Sequence, residues 1–166
     1  MIEIREEQTA DVAAIRDVNT SAFGQNLEAN IVDALRSNGA VLISLVAILQ
    51  GRVVGHIMYS PASVGSTMGA ALGPMAVLPA YQRQGIGSRL IDAGNRKLEM
   101  AGCPFILVVG HAAYYPRFGF RPASTYGIVC EWDVPDNVFM VLVTDPEKMR
   151  GVSGLARYRP EFSNVS

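Results

Sequence analysis

Hydrophobic and polar positions follow first a strand period and then a helical period along the chain. Residues 2–5 alternate with period two, which is typical of a short strand. Apolar residues then recur at helical spacing over 12–23, with Thr9 as the predicted N-cap, and again over 26–38 before a glycine stop. The chain is therefore predicted to begin with one strand and two amphipathic helices.

Longer apolar runs predict strands in the middle of the chain. Residues 41–49 and 52–59 flank Gln50-Gly51, a pattern that indicates a β-hairpin. Residues 70–78 form the next predicted strand and carry Pro74 in the middle. Because proline has no backbone N–H, we expect a bulge or a loss of pairing there.

The second half of the pattern predicts a strand–helix–strand unit. A helix is predicted over residues 85–101 and a strand over 105–109, which implies parallel strands with a right-handed crossover. A short helix over 111–120 and strands over 126–132 and 138–143 complete the pattern. The predicted class is α/β, or α+β with a mixed sheet and helices on both faces.

Composition and charge exclude several classes of protein. The 166 residues are 49% hydrophobic and 17% charged, and the net charge is −1, so no broad basic surface for nucleic acid is expected. The longest apolar run, over 40–49, is too short to cross a membrane. Two distant cysteines, Cys103 and Cys130, exclude a disulfide scaffold and a thiolate zinc cage. A charged start, unlike a signal peptide, predicts a cytoplasmic protein.

A glycine-containing loop after the third predicted strand of this middle region carries the strongest chemical signal. Gly85 and Gly87 open the helix that follows, where backbone N–H groups can approach an anion closely. Arg83 and Arg89 add positive charge, which favours a phosphate or pyrophosphate ligand. The alternative is that the two glycines only permit close packing of helix on strand.

Motif residues that the sequence lacks limit which class of anion the loop can bind. The loop has no Gly-x-x-x-x-Gly-Lys-Ser/Thr pattern, which excludes a nucleoside-triphosphatase loop. Leu90 stands where the dinucleotide fingerprint has its third glycine, and no acidic residue ends the strand over 105–109. A Rossmann-type oxidoreductase is therefore disfavoured.

Three segments together resemble one known family. Residues 82–87 (Gln-Arg-Gln-Gly-Ile-Gly) are similar to the acetyl-CoA signature of the GNAT N-acetyltransferases. Residues 75–79 resemble the strand before that signature, and residues 114–120 (Tyr-Tyr-Pro-Arg-Phe-Gly-Phe) resemble a second block. Within the family the likeness is to the YhbS-type predicted N-acetyltransferases. It covers residues 2–143, and we predict a GNAT domain over 1–145 with a C-terminal extension, 146–166, packed on it.

The resemblance implies a fold, a cosubstrate and a set of binding residues. A central mixed sheet would have its parallel fourth and fifth strands splayed apart, and acetyl-CoA would bind in the resulting wedge without a metal. Its pantetheine arm would pair with the fourth strand, and its pyrophosphate would meet the loop amides. The implied cofactor-binding residues are Met75, Ala76, Val77, Gln82, Arg83, Gln84, Gly85, Ile86, Gly87 and Ser88.

The resemblance also implies catalytic roles. Tyr115 is the candidate general acid for the departing thiolate, although it could instead be a packed core aromatic. The candidate general bases are Glu28, His56 and His111, or a water molecule, and Glu28 is preferred. Tyr114 is interpreted as packing.

The predicted activity is transfer of an acetyl group from acetyl-CoA to a primary amine by direct attack in a ternary complex. The acceptor would be a small molecule or a peptide, with neither membrane nor nucleic acid as partner, and pairing into a homodimer is compatible with the sequence. Trp132 either lines the acceptor pocket or only packs, and residues 154–162 are predicted to lie across its entrance. The alternative function is a non-catalytic acyl-CoA-binding regulatory module.

Overall fold

A computed structural model describes residues 1–163 of the chain as three helices around one mixed sheet. The helices are α1 (Val12–Phe23), α2 (Leu27–Ser37) and α3 (Ile86–Met100). The strands are β1 (Ile2–Glu6), β2 (Ile43–Leu49), β3 (Arg52–Val64), β4 (Thr67–Val77), β5 (Phe105–Val109), β6 (Arg121–Pro122), β7 (Ile128–Cys130), β8 (Phe139–Val143) and β9 (Gly154–Arg157).

The sheet runs in the order β1-β2-β3-β4-β5-β8-β6, and β9 joins it beside β3 and β7. β4 and β5 are parallel, whereas their other neighbours are antiparallel. β4 and β5 pair only at Ala70 with Ile106 and at Ala71 with Leu107, and then separate. The predicted mixed sheet with splayed parallel fourth and fifth strands is confirmed.

Helices cover both faces of the sheet, as the neighbouring residues Gly55 and His56 of β3 demonstrate. A Cβ atom on Gly55 would lie 3.1 Å from Ile86 and Leu90 of α3, so this position faces α3 closely. The His56 ring instead contacts Asn19 of α1. Since successive strand residues point to opposite faces, α1 and α3 lie on opposite sides, and the main apolar core lies between them and the sheet.

The irregularity predicted at Pro74 is present in the β3–β4 ladder. Ile57 pairs with Met75, but the next regular pair is Tyr59 with Leu72. Gly73 and Pro74 of β4 thus lie opposite the single residue Met58 of β3, so β4 carries one extra residue at this shift in register. The shift lies just beyond the point where β5 leaves β4, at the mouth of the splay.

The predicted N-cap at Thr9 is wrong. Thr9 instead begins a single 3-10 turn that ends at Asp11, and α1 starts at Val12. The Asp11 carboxylate accepts the backbone N–H of Gln8 at 2.7 Å and also binds the Arg5 guanidinium. Because the carboxylate caps this turn from within, the threonine hydroxyl is not needed there.

The end of the chain contributes a strand to the same sheet. β7 is shorter than the predicted strand over 126–132, and its partner is β9, not β8. β9 also pairs with β3, through Ser63 with Arg157. The predicted helix over 111–120 is one 3-10 turn, Tyr115–Phe118.

Among residues 1–163 no helix has the length and apolarity needed to cross a bilayer. The division into 1–145 and 146–166 stays a prediction.

Candidate functional site

Two adjoining cavities open where β4 and β5 separate. The first, which we name the loop cleft, has a volume of about 570 Å³ and lies between the end of β4 and the start of α3. The second, the splay cavity, has a volume of about 750 Å³ and lies between β4, β5 and α2. Both volumes are in the range of small-molecule sites.

The loop cleft owes its shape to the backbone before α3. Gly85 precedes the helix with a φ of +82°, a left-handed conformation that favours glycine, and Arg83 also has a positive φ. α3 then begins at Ile86, and the first N–H groups of a helix have no partner within it. These groups and the helix dipole make this end a favourable position for an anion.

The structure brings nearly all the predicted cofactor-binding residues to this cleft. The predicted residues that line it are Met75, Ala76, Val77, Gln82, Arg83, Gly85, Ile86, Gly87 and Ser88. Gln84 is exposed and does not line either cavity. The Gln82 amide donates to the carbonyl of Val77 at 2.9 Å, which ties the loop to the end of β4.

Sequence reasoning missed five residues of the loop cleft: Ala22, Phe23, Tyr81, Tyr114 and Arg117. The Tyr114 hydroxyl lies 3.1 Å from the Ser88 hydroxyl, and the Arg117 guanidinium stacks 5.0 Å from the centre of the Tyr114 ring. A Cβ on Gly87 would lie 3.3 Å from this same Tyr114 hydroxyl. Packing alone therefore does not describe Tyr114, since its polar end reaches the start of α3.

The splay cavity brings together the predicted acid and two of the candidate bases. Tyr115, Glu28 and His111 all line it. Tyr115 is buried, and its ring packs edge-on against Phe120 with centroids 5.7 Å apart. Burial raises the pKa of Tyr115 to about 12, with a smaller contribution from Tyr114, so the phenol keeps its proton near neutral pH.

The two cavity-lining bases differ in their surroundings. The Glu28 carboxylate is half-buried and accepts a hydrogen bond from the Gln25 side chain at 3.1 Å. His111 is exposed and lies two residues after the end of β5. Both can reach ligands in the cavity, so each satisfies the first geometric condition for a base.

His56, the third candidate base, lies apart from both cavities. Its ring is fully buried, with Nδ1 3.2 Å from the Asn19 amide nitrogen and Nε2 2.9 Å from the Ser44 hydroxyl. Ser44 in turn donates to Glu7 at 2.7 Å. Desolvation lowers the pKa of His56 to about 3. These hydrogen bonds describe a neutral ring that accepts at Nδ1 and donates at Nε2 within the core.

Over the described residues 1–163, no group of three or more histidine, cysteine, aspartate or glutamate side chains is arranged to hold a metal ion. The polar groups of the two cavities are instead backbone amides, hydroxyls and isolated charges. The site can therefore bind an anion at the loop cleft and position a proton donor and a proton acceptor in the splay cavity.

The sequence relatives decide the family. The Acetyltransferase (GNAT) domain model matches residues 41–122. YjhQ of Escherichia coli (strain K12), described as an uncharacterized N-acetyltransferase, is 39% identical over 134 residues, which cover 76% of this chain and 74% of YjhQ. The chain belongs to the GNAT family. The uncharacterized N-acetyltransferase YhbS of the same organism is 30% identical over 163 residues, 96% of this chain and 98% of YhbS, so the likeness to YhbS-type GNAT proteins is confirmed.

Solved GNAT structures have the same arrangement of elements. YhbS from Escherichia coli, crystallised in complex with CoA, superposes with a TM-score of 0.94 at 29% identity over 99% of this chain and 93% of that chain. A GNAT acetyltransferase from Brucella melitensis, in complex with acetyl-CoA, gives a TM-score of 0.82 at 35% identity over 98% of both chains. The GNAT-like fold predicted from the sequence is thus confirmed.

Proposed function

We propose that this GNAT protein transfers an acetyl group from acetyl-CoA to an amine that occupies the splay cavity. The observation that carries the proposal is the junction of the two cavities, where Met75 and Tyr114 line both. A thioester bound along the loop cleft would present its carbonyl carbon to the splay cavity at this junction. The CoA and acetyl-CoA complexes of the two relatives support the choice of cosubstrate.

The splay provides a binding edge for the pantetheine arm. β4 pairs with β5 only as far as Ala71, so its later residues, 72–77, have no strand partner on that side. An extended ligand can therefore add to this edge through backbone hydrogen bonds near Met75 and Val77. The pyrophosphate would then lie at the loop amides from Gln84 to Ser88, next to Arg83 and Arg117.

The chemical step follows from the groups around the splay cavity. The acceptor nitrogen attacks the thioester carbonyl, a C–N bond forms, and the C–S bond breaks to release the CoA thiolate. Tyr115 would donate its proton to the sulfur, because its phenol is protonated at neutral pH. Glu28, His111 or water would take the proton from the attacking amine. Glu28 remains our preferred base, since it is partly shielded in the cavity whereas His111 is exposed.

Acetyl-CoA and a panel of primary amines test this proposal. We expect amine-dependent release of the CoA thiol together with an acceptor heavier by one acetyl group in the mass spectrum. Acetyl-CoA alone should raise the melting temperature by mass action. A regulatory module that only binds acyl-CoA would show the thermal shift without turnover, and a protein without either response would contradict the proposal.

Four further features complete this proposal. A cytoplasmic location follows from two free cysteine thiols, which are typical of a reducing compartment. A small-molecule or peptide acceptor follows from the size of the splay cavity. A homodimer and the absence of nucleic-acid binding stay predictions from the sequence and its charge.

A further inference from the structure

Three of the aromatic side chains that line the splay cavity pack against one another and have no part in the chemical step. Trp132 and Tyr158 lie with ring centroids 4.7 Å apart, and Tyr158 and Phe162 lie 5.2 Å apart. We name these three residues the aromatic wall. Two of them, Tyr158 and Phe162, come from the segment after β9.

The aromatic wall is fixed at both ends by ionic groups. The backbone N–H of Tyr158 donates to the Glu131 carboxylate at 3.0 Å, which joins the wall to the residue before Trp132. Glu161 accepts hydrogen bonds from Arg159 and, at 2.7 Å, from Asn38 at the end of α2. Because α2 also carries Glu28, the wall and the preferred base are held on one framework. A surface preorganised in this way binds without a large ordering cost.

The Tyr158 hydroxyl is the unusual group of the wall. Its oxygen is shielded from solvent and has no hydrogen-bond partner among the side chains and backbone of residues 1–163. Burial raises the pKa of Tyr158 far above its ordinary range, so the group stays a neutral donor. A buried hydroxyl without a partner destabilises the protein. Because this oxygen is shielded from the solvent that can enter the cavity, the part of Tyr158 that lines the cavity is not its hydroxyl.

The charged side chains of the splay cavity limit the chemical class of the acceptor further. Glu28 is the one acidic side chain among the described residues that line the splay cavity, while Ile31, Leu72 and Val108 extend its apolar surface. A polycationic acceptor would need several carboxylates, because each buried ammonium group requires a partner. One carboxylate beside an aromatic wall is instead suited to one ammonium group on an apolar body.

We propose that the acceptor is a primary amine on an aromatic-sized apolar body, read by the juxtaposition of Glu28 and the aromatic wall in one cavity. This proposal rests on the acetyltransferase function argued above. The amine lies towards Glu28 and the thioester, and the apolar body packs on Trp132 and Tyr158. Tyr158 and Trp132 are therefore specificity-determining residues.

Four probe amines test the acceptor class by CoA release: benzylamine, 4-hydroxybenzylamine, methylamine and spermidine. We expect kcat/KM for the two aromatic amines to exceed that for methylamine and spermidine by about tenfold or more, the value of one to two buried apolar groups. Since Trp132 is the only tryptophan of the chain, its fluorescence reports binding directly. Benzylamine added to the protein with CoA should change that fluorescence, and spermidine should not.

Two variants test the aromatic wall, and Tyr126→Leu at an exposed tyrosine outside the cavity is the matched control. Tyr158→Leu, which removes one ring of the wall, should lower kcat/KM for both aromatic amines about tenfold, the value of one to two buried apolar groups. Trp132→Leu should lower kcat/KM for both aromatic amines, while the rise in melting temperature with acetyl-CoA stays unchanged.

The possible outcomes distinguish this inference from the proposed acetyltransferase function on which it rests. Equal transfer to spermidine and benzylamine, or wild-type kcat/KM for both aromatic amines in Tyr158→Leu and Trp132→Leu, would overturn the acceptor class and leave acetyl transfer intact. Thermal stabilisation by acetyl-CoA with neither turnover nor a fluorescence response to any aromatic amine would also overturn it. Loss of the acetyl-CoA response itself would contradict the proposed function instead.

Discussion

The loop cleft and the splay cavity differ in how they are assembled. The polar surface of the loop cleft comes mainly from one stretch, residues 75–88, in which a strand, a turn and a helix start follow each other. The splay cavity collects side chains from α1, α2, β4, β5 and the segments around Trp132 and Tyr158. A ligand site made from consecutive residues is fixed by local backbone geometry, whereas a composite site is fixed by tertiary packing.

The same difference governs how each cavity responds to substitution. In the loop cleft, backbone amides and the helix terminus supply the binding groups, so an added Cβ is more damaging than a change of side-chain chemistry. In the splay cavity, side chains supply the functional groups. Substitutions that keep the shape of a side chain but remove its proton or charge should therefore act mainly on the splay cavity.

The largest effect is expected from Gly87→Val. The new side chain would meet Met75 and the Tyr114 hydroxyl, which lie 3.3 Å from the position of a Cβ. We expect acetyl-CoA no longer to raise the melting temperature. Lys97→Val, on an exposed turn of the same helix, controls for the helix cost of valine, about 0.7 kcal/mol. If Gly87→Val folds and binds acetyl-CoA as tightly as the wild type, the loop cleft is not the phosphate site.

Tyr115→Phe should leave acetyl-CoA binding intact and reduce kcat about 100-fold, because it removes the proton donor and keeps the ring. Stability should stay within about 1 kcal/mol of the wild type, as measured by urea unfolding. Tyr114→Phe is the matched control, since this neighbour has its hydroxyl at Ser88. If Tyr114→Phe were the slower enzyme from pH 6 to 9, Tyr114 would be the acid and Tyr115 a packed aromatic.

Glu28→Gln and His111→Gln distinguish the two bases that line the splay cavity. We expect Glu28→Gln to lower kcat/KM for a primary amine about tenfold or more. His111→Gln should change it less, because His111 is exposed. The pH dependence of kcat/KM for the three proteins provides the measurement. Unchanged profiles in both variants would leave water as the base.

The effect expected at His56 appears in the free energy of unfolding and is absent near neutral pH. Its folded pKa of about 3 lies below the ordinary value of 6.5, so unfolding takes up a proton between these limits. The contribution to stability is complete above pH 6.5 and is lost progressively as the pH falls towards 3. His56→Gln should reduce the slope of the unfolding free energy against pH in this window by about one proton. His111→Gln should leave this slope unchanged. If the slope in His56→Gln equals that of the wild type, the His56 ring is not buried in its neutral form.

The loop cleft could be predicted almost completely because its signals are local. Two glycines, a preceding strand and a following helix lie within fifteen or so residues, where periodicity and turn chemistry operate. Tyr114 was not predicted as a site residue, because its role depends on the contact between its hydroxyl and the hydroxyl of Ser88, which lies in another segment. A Tyr and an Arg three residues apart before Gly119 were the available signal, since this spacing can place both on one side of a turn.

The splay cavity could not be predicted in the same way. β9 pairs with β3 across more than ninety residues, and no local pattern specifies that contact. Without it, Tyr158 and Phe162 have no defined place, so the aromatic wall is invisible in the sequence. The three candidate bases could not be separated either. A histidine on a central strand satisfies the same pattern whether it faces a cavity or, as His56 does, a closed hydrogen-bond chain.

The shared position of Met75 and Tyr114 has a thermodynamic consequence. A ligand that fills the loop cleft becomes one side of the splay cavity, so the two binding events are coupled. Linkage requires the coupling to be reciprocal: acetyl-CoA should tighten acceptor binding by the same factor by which the acceptor tightens acetyl-CoA. Calorimetric titrations in both orders measure that factor, and a value of one would mean that the two cavities act independently.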